Sequence, residues 1–420
     1  MERFTVSGGN RLYGAVRINA AKNSVLPLIS ASILSEGKTY IKNCPKISDV
    51  FVMTEIIKSI GGKAFFDGDT LVLDSSTVCD WKLPEELTKR IRASFFTVGA
   101  LLSRFEKAGV YSPGGCNIGK RPIDIHISAL KTLGVSVSES DYISFKVNRR
   151  DGGKVTLKFP SVGATENVIL ASVRRKGEVR IVNCAREPEI VDLQEYLNLL
   201  GYKVNGAGTD EIVIEGVEKP SARDVEFTPS PDRIEAGTFL LAGAMCGGEI
   251  EFRREYLKNS LNITKILGNN ACKIIGKNDK IYIIRFTGRT KAFGKVVTGP
   301  YPEFVTDMQP QLAACACVAD GVTVIEEKVF PERFAYVSEL KKTGADIEVF
   351  GNACVIVGKK NIGGAVMSAG DLRGGAALLL AGLAAEGRSV ICGVSHIDRG
   401  YERIDEKLRA LGADIVRAEI

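Results

Sequence analysis

At 420 residues the chain exceeds one ordinary hydrophobic core, so two domains are the first expectation. Its 45% apolar and 25% charged residues are those of a globular protein. A formal net charge of +6 fits anionic small molecules and is too mild to argue for a nucleic-acid partner. No apolar run is long enough to span a membrane, and Met1-Glu2-Arg3-Phe4-Thr5-Val6 alternates like a strand with no apolar signal core, which predicts a cytoplasmic protein. The ten cysteines are scattered, with no Cys-x-x-Cys pair, so reduced thiols are expected and a zinc site is not.

Taken in chain order, residues 5–6 and 15–18 read as strands, and so do 39–43. Residues 63–66 and 70–74 alternate as a strand pair, and 179–183 form the next clear strand. An amphipathic helix is predicted at 190–200 and an apolar one at 236–244. Cys315-Ala316-Cys317 lies in an apolar helical run and reads as core packing. A strand follows at 322–326, then an apolar helix at 376–385, an amphipathic helix at 402–411 and a last strand at 414–417.

Two glycine markers divide these elements into six units. A helix-ending Leu-Gly or similar pair recurs at Gly61, Gly134, Gly201, Gly268, Gly344 and Gly412, at intervals of 73, 67, 67, 76 and 68 residues. A second marker recurs at Gly37, Gly109, Gly177, Gly247, Gly321 and Gly387, at intervals of 72, 68, 70, 74 and 66. The period is longer than that of the common solenoids. Each unit runs apolar helix, glycine, strand, polar connection, amphipathic helix, glycine and one or two alternating strands. The sixth unit stops short, and residues 5–6 and 15–18 are expected to complete it. That assigns 1–20 plus 231–420 to a discontinuous domain and 21–230 to an inserted one, with the chain crossing twice and a ligand cleft expected between them.

The stretch Ser112-Pro113-Gly114-Gly115-Cys116-Asn117-Ile118-Gly119-Lys120-Arg121-Pro122-Ile123-Asp124 carries the strongest chemistry. Its glycines let backbone approach a ligand, and its cations attract anions and favour thiolate. On residues alone, Cys116 reads equally as a surface thiol on a glycine loop. Polar residues also stand just before each unit's first helix: Lys22 and Asn23, Arg90 and Arg92, Ser161 and Gly163, Asp232 and Arg233, Thr306 and Asp307, Asp371 and Arg373. Helix starts attract anions. Ordinary N-capping accounts for Ser161, Asp232, Asp307 and Asp371. It does not account for Lys22, Arg92 or Arg373, because cations oppose the dipole there.

Ala21-Lys22-Asn23, Arg92-Ala93-Ser94, Pro113-Gly114-Gly115-Cys116, Arg121-Pro122-Ile123-Asp124, Pro160-Ser161-Val162-Gly163-Ala164-Thr165, Pro231-Asp232-Arg233-Ile234-Glu235, Thr306-Asp307-Met308-Gln309, Asp371-Leu372-Arg373 and His396-Ile397-Asp398-Arg399-Gly400-Tyr401 occur in this order over the whole chain. Together they resemble the enolpyruvyl transferases that act on UDP-N-acetylglucosamine. The resemblance implies an α/β fold, the inside-out α/β barrel, with two domains of three repeats. It implies transfer of the enolpyruvyl group of phosphoenolpyruvate to the sugar 3-hydroxyl with loss of phosphate, the first committed step of peptidoglycan synthesis.

The resemblance also implies roles. Cys116 would be the proton donor and Asp307 the base near the sugar hydroxyl. Lys22, Arg121 and Arg399 would grip phosphoenolpyruvate, with Arg92 and Asn23 beside them. Arg121, Pro122, Ile123, Asp124 and Ile125, with Ser161, Val162 and Gly163, would contact the uridine and diphosphate, and Val329 the nucleotide sugar. Asp371 and Arg373 would support catalysis. No metal or organic cofactor is implied, and the oligomeric state is left open.

The chain departs from the family pattern in its Ala20-Ala21 lead-in to Lys22, in Val305 where proline is usual, in glycines flanking Asp371 and Arg373, and in Pro331. Alternatives are a shikimate-pathway transferase, which would not use the cysteine loop, and the RNA 3′-phosphate cyclase branch, which needs a different nucleophile. A catalytically silent binding protein is a third. Cysteine–histidine chemistry has only His126 and His396 to draw on.

Overall fold

The computed structural model describes residues 2–114, 123–219, 221 and 224–419. They divide into two compact units. One holds residues 2–19 and 231–419, the other 20–114 and 123–230. Each has its own hydrophobic core.

Each unit places three helices at its centre. In the first unit these are Arg233–Cys246, Gln309–Val318 and Leu372–Ala384, which pack on one another. In the second they are Lys22–Ser32, Thr97–Phe105 and Val162–Ser172. Their sequences explain the position. The run Gln309–Val318 carries no charge and every residue is buried, and Leu372–Ala384 is apolar on all sides apart from Arg373. A helix with no polar face is stable only inside. Cys315 and Cys317 are buried there, and burial pushes the Cys317 thiol up to about 12, so both cysteines are packing residues.

Among the described residues, six sheets cover these helices, three per unit, five of them four-stranded and one three-stranded. Strands such as Asp346–Phe350 alternate exposed and buried side chains at their start, as a sheet with one face in water requires. One plan recurs. The strand after the central helix pairs antiparallel with the second strand of a hairpin, and on its other side with a parallel edge strand. Val225–Phe227 serves Lys38–Ile41, Asp151–Thr156 serves Lys176–Val182, Gly294–Val297 serves Val322–Glu326, and Val366–Ser368 serves Arg388–Cys392. In the three-stranded sheet the parallel edge shrinks to a single bridge from Lys82 to Gly109. The six-unit reading and the α/β fold class both hold. All six helix-ending glycines have positive φ, from 51° at Gly268 to 97° at Gly61 and Gly201, a conformation that costs a residue with a Cβ far more. Of the second markers, Gly109 and Gly177 lie inside the strands Lys107–Tyr111 and Lys176–Val182 instead of ending a helix.

The sixth unit borrows only one N-terminal strand. Glu2–Ser7 lies between Arg388–Cys392 and Asp414–Glu419. The second strand is Leu12–Ala15, not 15–18, and it pairs parallel with Gly248–Arg253 in a different sheet. Sequence alternation gave the strand character of both segments but carries no record of the partner. The chain passes between units at 19–20 and 230–231. Ala21 N–H donates to the Ser230 carbonyl (2.8 Å), and Asp232 N–H to that of Asn19 (2.9 Å).

Candidate active site

In the second unit, Lys22 opens its central helix with no side-chain cap before it. Its ammonium meets Asp49 Oδ2 at 2.5 Å, with both side chains largely buried, which keeps a cation at the positive end of the helix dipole. Two residues on, the Ser24 hydroxyl donates to Asp192 Oδ2 at 2.5 Å. Asp192 also accepts from the Ser230 amide and hydroxyl, at 2.9 and 2.8 Å. Burial pushes the Asp192 carboxyl up to about 6 against these hydrogen bonds. Asn23 is half-buried. Arg92 begins the short turn Arg92–Phe96 that leads into the helix Thr97–Phe105.

Ser161 caps its helix by accepting from Ala164 N–H, at 3.4 Å. Gly163 leaves no room for a side chain, since a Cβ there would lie 3.0 Å from both His126 Cε1 and Phe96 Cε1. His126 is buried edge-on against Phe95 and bonds Asn167 through Nδ1 at 3.0 Å. It is a packing residue that shapes the floor beneath Gly163, not a nucleophile's base. Ile123 and Ile125 pack against the core on either side of Asp124, which starts the helix Asp124–Thr132 and faces solvent. Gly114 is pressed against the carbonyl of Lys89, where a Cβ would lie at 1.6 Å, so the entry to the glycine loop admits only glycine. Cys116, Arg121 and Pro122 lie outside the described residues.

The first unit builds a charge cluster. Asp307 does not cap its helix. Its Oδ1 accepts from Arg333 Nη1 at 2.9 Å, and its Oδ2 from Arg373 Nε and Nη2 at 3.2 and 3.1 Å. Both arginine side chains are buried, and Asp307 is one-quarter exposed. Burial disfavours the charge on Arg373, but Asp307 and Tyr401 outweigh it and raise its pKa. Asp371 is an N-cap whose Oδ1 accepts from the backbone of Arg373 and Gly374 at 2.9 and 3.0 Å, so it fixes the helix start that aims Arg373. Arg399 sits half-buried on the turn after Val394–Ile397. The next residue, Gly400, is packed so tightly on Leu372 that a Cβ would lie 2.6 Å from its Cδ2. Tyr401 is buried beneath, bonded to Thr238 and Gln311 at 2.9 and 3.1 Å.

A second layer supports Asp307. The Glu327 carboxylate, itself buried, accepts from Thr298, Thr306 and the amides of Val329 and Phe330, all between 2.7 and 2.9 Å. It thereby holds the Val329 segment and the Thr306 turn to one anchor. Val305 precedes that turn with φ −71°, the angle a proline would impose, so the departure there leaves the backbone path intact. Sequence reasoning missed Asp49, Arg333 and Glu327.

The family profile described as EPSP synthase (3-phosphoshikimate 1-carboxyvinyltransferase) matches residues 6–408. UDP-N-acetylglucosamine 1-carboxyvinyltransferase 2 of Caldanaerobacter subterraneus subsp. tengcongensis is 47% identical over 418 residues, covering 99% of this chain and 100% of that protein. The chain belongs to the UDP-N-acetylglucosamine 1-carboxyvinyltransferase family. A Clostridium acetobutylicum member, UDP-N-acetylglucosamine 1-carboxyvinyltransferase 1, is 43% identical over the whole length of both chains. Among solved structures, the enolpyruvyl transferase NikO from Streptomyces tendae superposes with a TM-score of 0.87 at 26% identity, covering 99% of each chain. For a carboxyvinyltransferase the two clusters make chemical sense, because its substrates are anions and one acceptor hydroxyl must lose a proton.

Proposed function

We propose that this carboxyvinyltransferase moves the enolpyruvyl group of phosphoenolpyruvate onto the 3-hydroxyl of UDP-N-acetylglucosamine and releases phosphate, by addition and then elimination. The sugar oxygen bonds to C2 of phosphoenolpyruvate while its methylene carbon gains a proton and becomes a methyl group. A proton then leaves that methyl group, the C–O bond to phosphate breaks, and the enolpyruvyl ether remains. Lys22, Arg121 and Arg399 hold the phosphate and carboxylate, with Arg92 lining the same site. Asn23 stands beside them. Pro122 through Ile125 and Ser161 through Gly163 take the nucleotide, and Val329 contacts the nucleotide sugar.

Cys116 supplies the proton to the methylene carbon, and Asp307 takes the one from the sugar hydroxyl. The Asp307 geometry carries this reading. Oδ1 accepts from Arg333 and Oδ2 accepts twice from Arg373, so two buried guanidiniums keep the carboxylate ionised and fix its orientation. Asp307 is one-quarter exposed while both arginines are buried, so a hydroxyl reaches the carboxylate from its open side. Asp371 acts through Arg373 as a positioning residue.

The test is Asp307→Asn, which keeps the size and removes the base. A hundredfold or greater loss of kcat, in the range general-base removal causes, with little change in the KM for phosphoenolpyruvate, is the expected result. A kcat within a few-fold of wild type would exclude Asp307 as the base.

A further inference from the structure

The second unit contains a cavity of about 210 Å³ that the transfer reaction does not use. It lies at the C-terminal ends of the unit's three central helices, whereas Lys22, Arg92 and Ser161 stand at their N-terminal ends. Arg104, Arg150, Arg174, Arg175 and Lys219 wall it, against Glu36, Glu106 and Glu218, so five cations face three acids. Glu106 is already taken by Arg150. Glu36 and Glu218 form no ion pair among the described residues and are exposed.

The ordinary role for arginines here is to cap helix carbonyls, and they do so in part. Arg104 Nη1 donates to the Ile33 carbonyl at 2.6 Å and Nη2 to that of Val78 at 3.1 Å. Arg174 bonds Tyr202 Oη through Nε and the Leu34 carbonyl through Nη2, at 2.8 and 3.0 Å. Arg175 bonds the carbonyls of Ala171, Arg149 and Asp151 through Nε and Nη1, at 3.3, 3.0 and 3.2 Å. These bonds fix the three guanidiniums and leave Nη1 of Arg174 and Nη2 of Arg175 uncommitted. A guanidinium offers five donors, and rigid forks suit phosphate. The cations also oppose one another. Burial, and then repulsion from Arg174, lowers the Arg104 pKa, and burial with Arg149 brings Arg175 down to about 10. An anion relieves both effects.

We infer that this cavity is a second anion site, which binds a small phosphate-bearing molecule in the unit that carries Lys22. Its volume equals that of about seven waters, enough for a phosphate or pyrophosphate group and too small for a nucleotide.

The test is calorimetric titration of the full-length protein with inorganic pyrophosphate, at ionic strength matched with chloride. Wild type is compared with Lys219→Gln and Glu218→Gln, both exposed and outside helices and strands. Binding at the catalytic anion site is common to all three, so only differences between them report on the cavity. Removing the cation should weaken binding about two- to fivefold, and removing the acid should tighten it by a similar factor. Arg174→Lys, which keeps the charge and loses the fork, should weaken binding while circular dichroism shows a native fold. Identical titrations for the three proteins, or shifts in the same direction, would overturn the inference. Because it is read without turnover, this outcome is independent of whether the transfer reaction is as proposed.

Discussion

Glutamine at position 166 should make the second unit more stable, and increasingly so as pH rises. Glu166 lies in the central helix Val162–Ser172 at 1% exposure, and neither carboxyl oxygen has a hydrogen-bond partner. Burial raises its pKa well above the ordinary 4.5, and the nearby acids Glu189 and Glu187 add to the rise. In the folded protein it therefore stays protonated at a pH where the unfolded chain has lost that proton. The sign follows from linkage. The folded state binds more protons, so stability falls as pH rises from the unfolded pKa toward the folded one. The slope approaches about 1.4 kcal/mol per pH unit over that window. Glutamine has nearly the same shape and no proton to lose, so its stability lacks this decline. The assay is urea unfolding of wild type and Glu166→Gln at half-unit steps from pH 5 to 8. The chain has a single tryptophan, Trp81, in the same unit, so its fluorescence reports the relevant transition. The stability difference, mutant minus wild type, should climb with pH. A flat or falling difference would mean that Glu166 is ionised in the fold.

Asp371→Ala should lower stability by about 1 kcal/mol through loss of the cap and reduce kcat, whereas Asp371→Asn should restore most of the stability, since asparagine caps as well; thermal melts and steady-state kinetics separate the two effects. Gly163→Ala should cost about 1–3 kcal/mol by crowding His126 and Phe96, lowering the melting midpoint, and should raise the KM for UDP-N-acetylglucosamine. Cys116→Ser should fold normally and lose most activity, while Cys116→Asp should retain function, because a carboxylic acid can also donate a proton. Full activity of the serine variant would exclude the thiol as the acid.

The repeat was legible because each copy spends a glycine where the backbone needs positive φ, and that requirement is local. The central helices were legible for a similar reason, as runs such as Ala376–Leu380 have no polar face to offer water. Partners were not. Asp49 lies 27 residues from Lys22, and Arg333 lies 26 from Asp307, on elements whose approach is set by packing and not by any local pattern. Glu327 stood in a strand-ending Glu-Glu-Lys run that reads as surface charge, yet it is wholly buried among four donors. Capping was read correctly for Ser161, Asp232 and Asp371. It was wrong for Asp307, where two arginines claim the carboxylate and the helix starts with a tight turn instead.

Phosphate release identifies the hydroxyl that receives the enolpyruvyl group. Purified protein given phosphoenolpyruvate should release phosphate only when UDP-N-acetylglucosamine is present, one phosphate for each nucleotide sugar converted. Release with shikimate 3-phosphate, and none with UDP-N-acetylglucosamine, would mean that the enzyme does not use the nucleotide sugar as its acceptor.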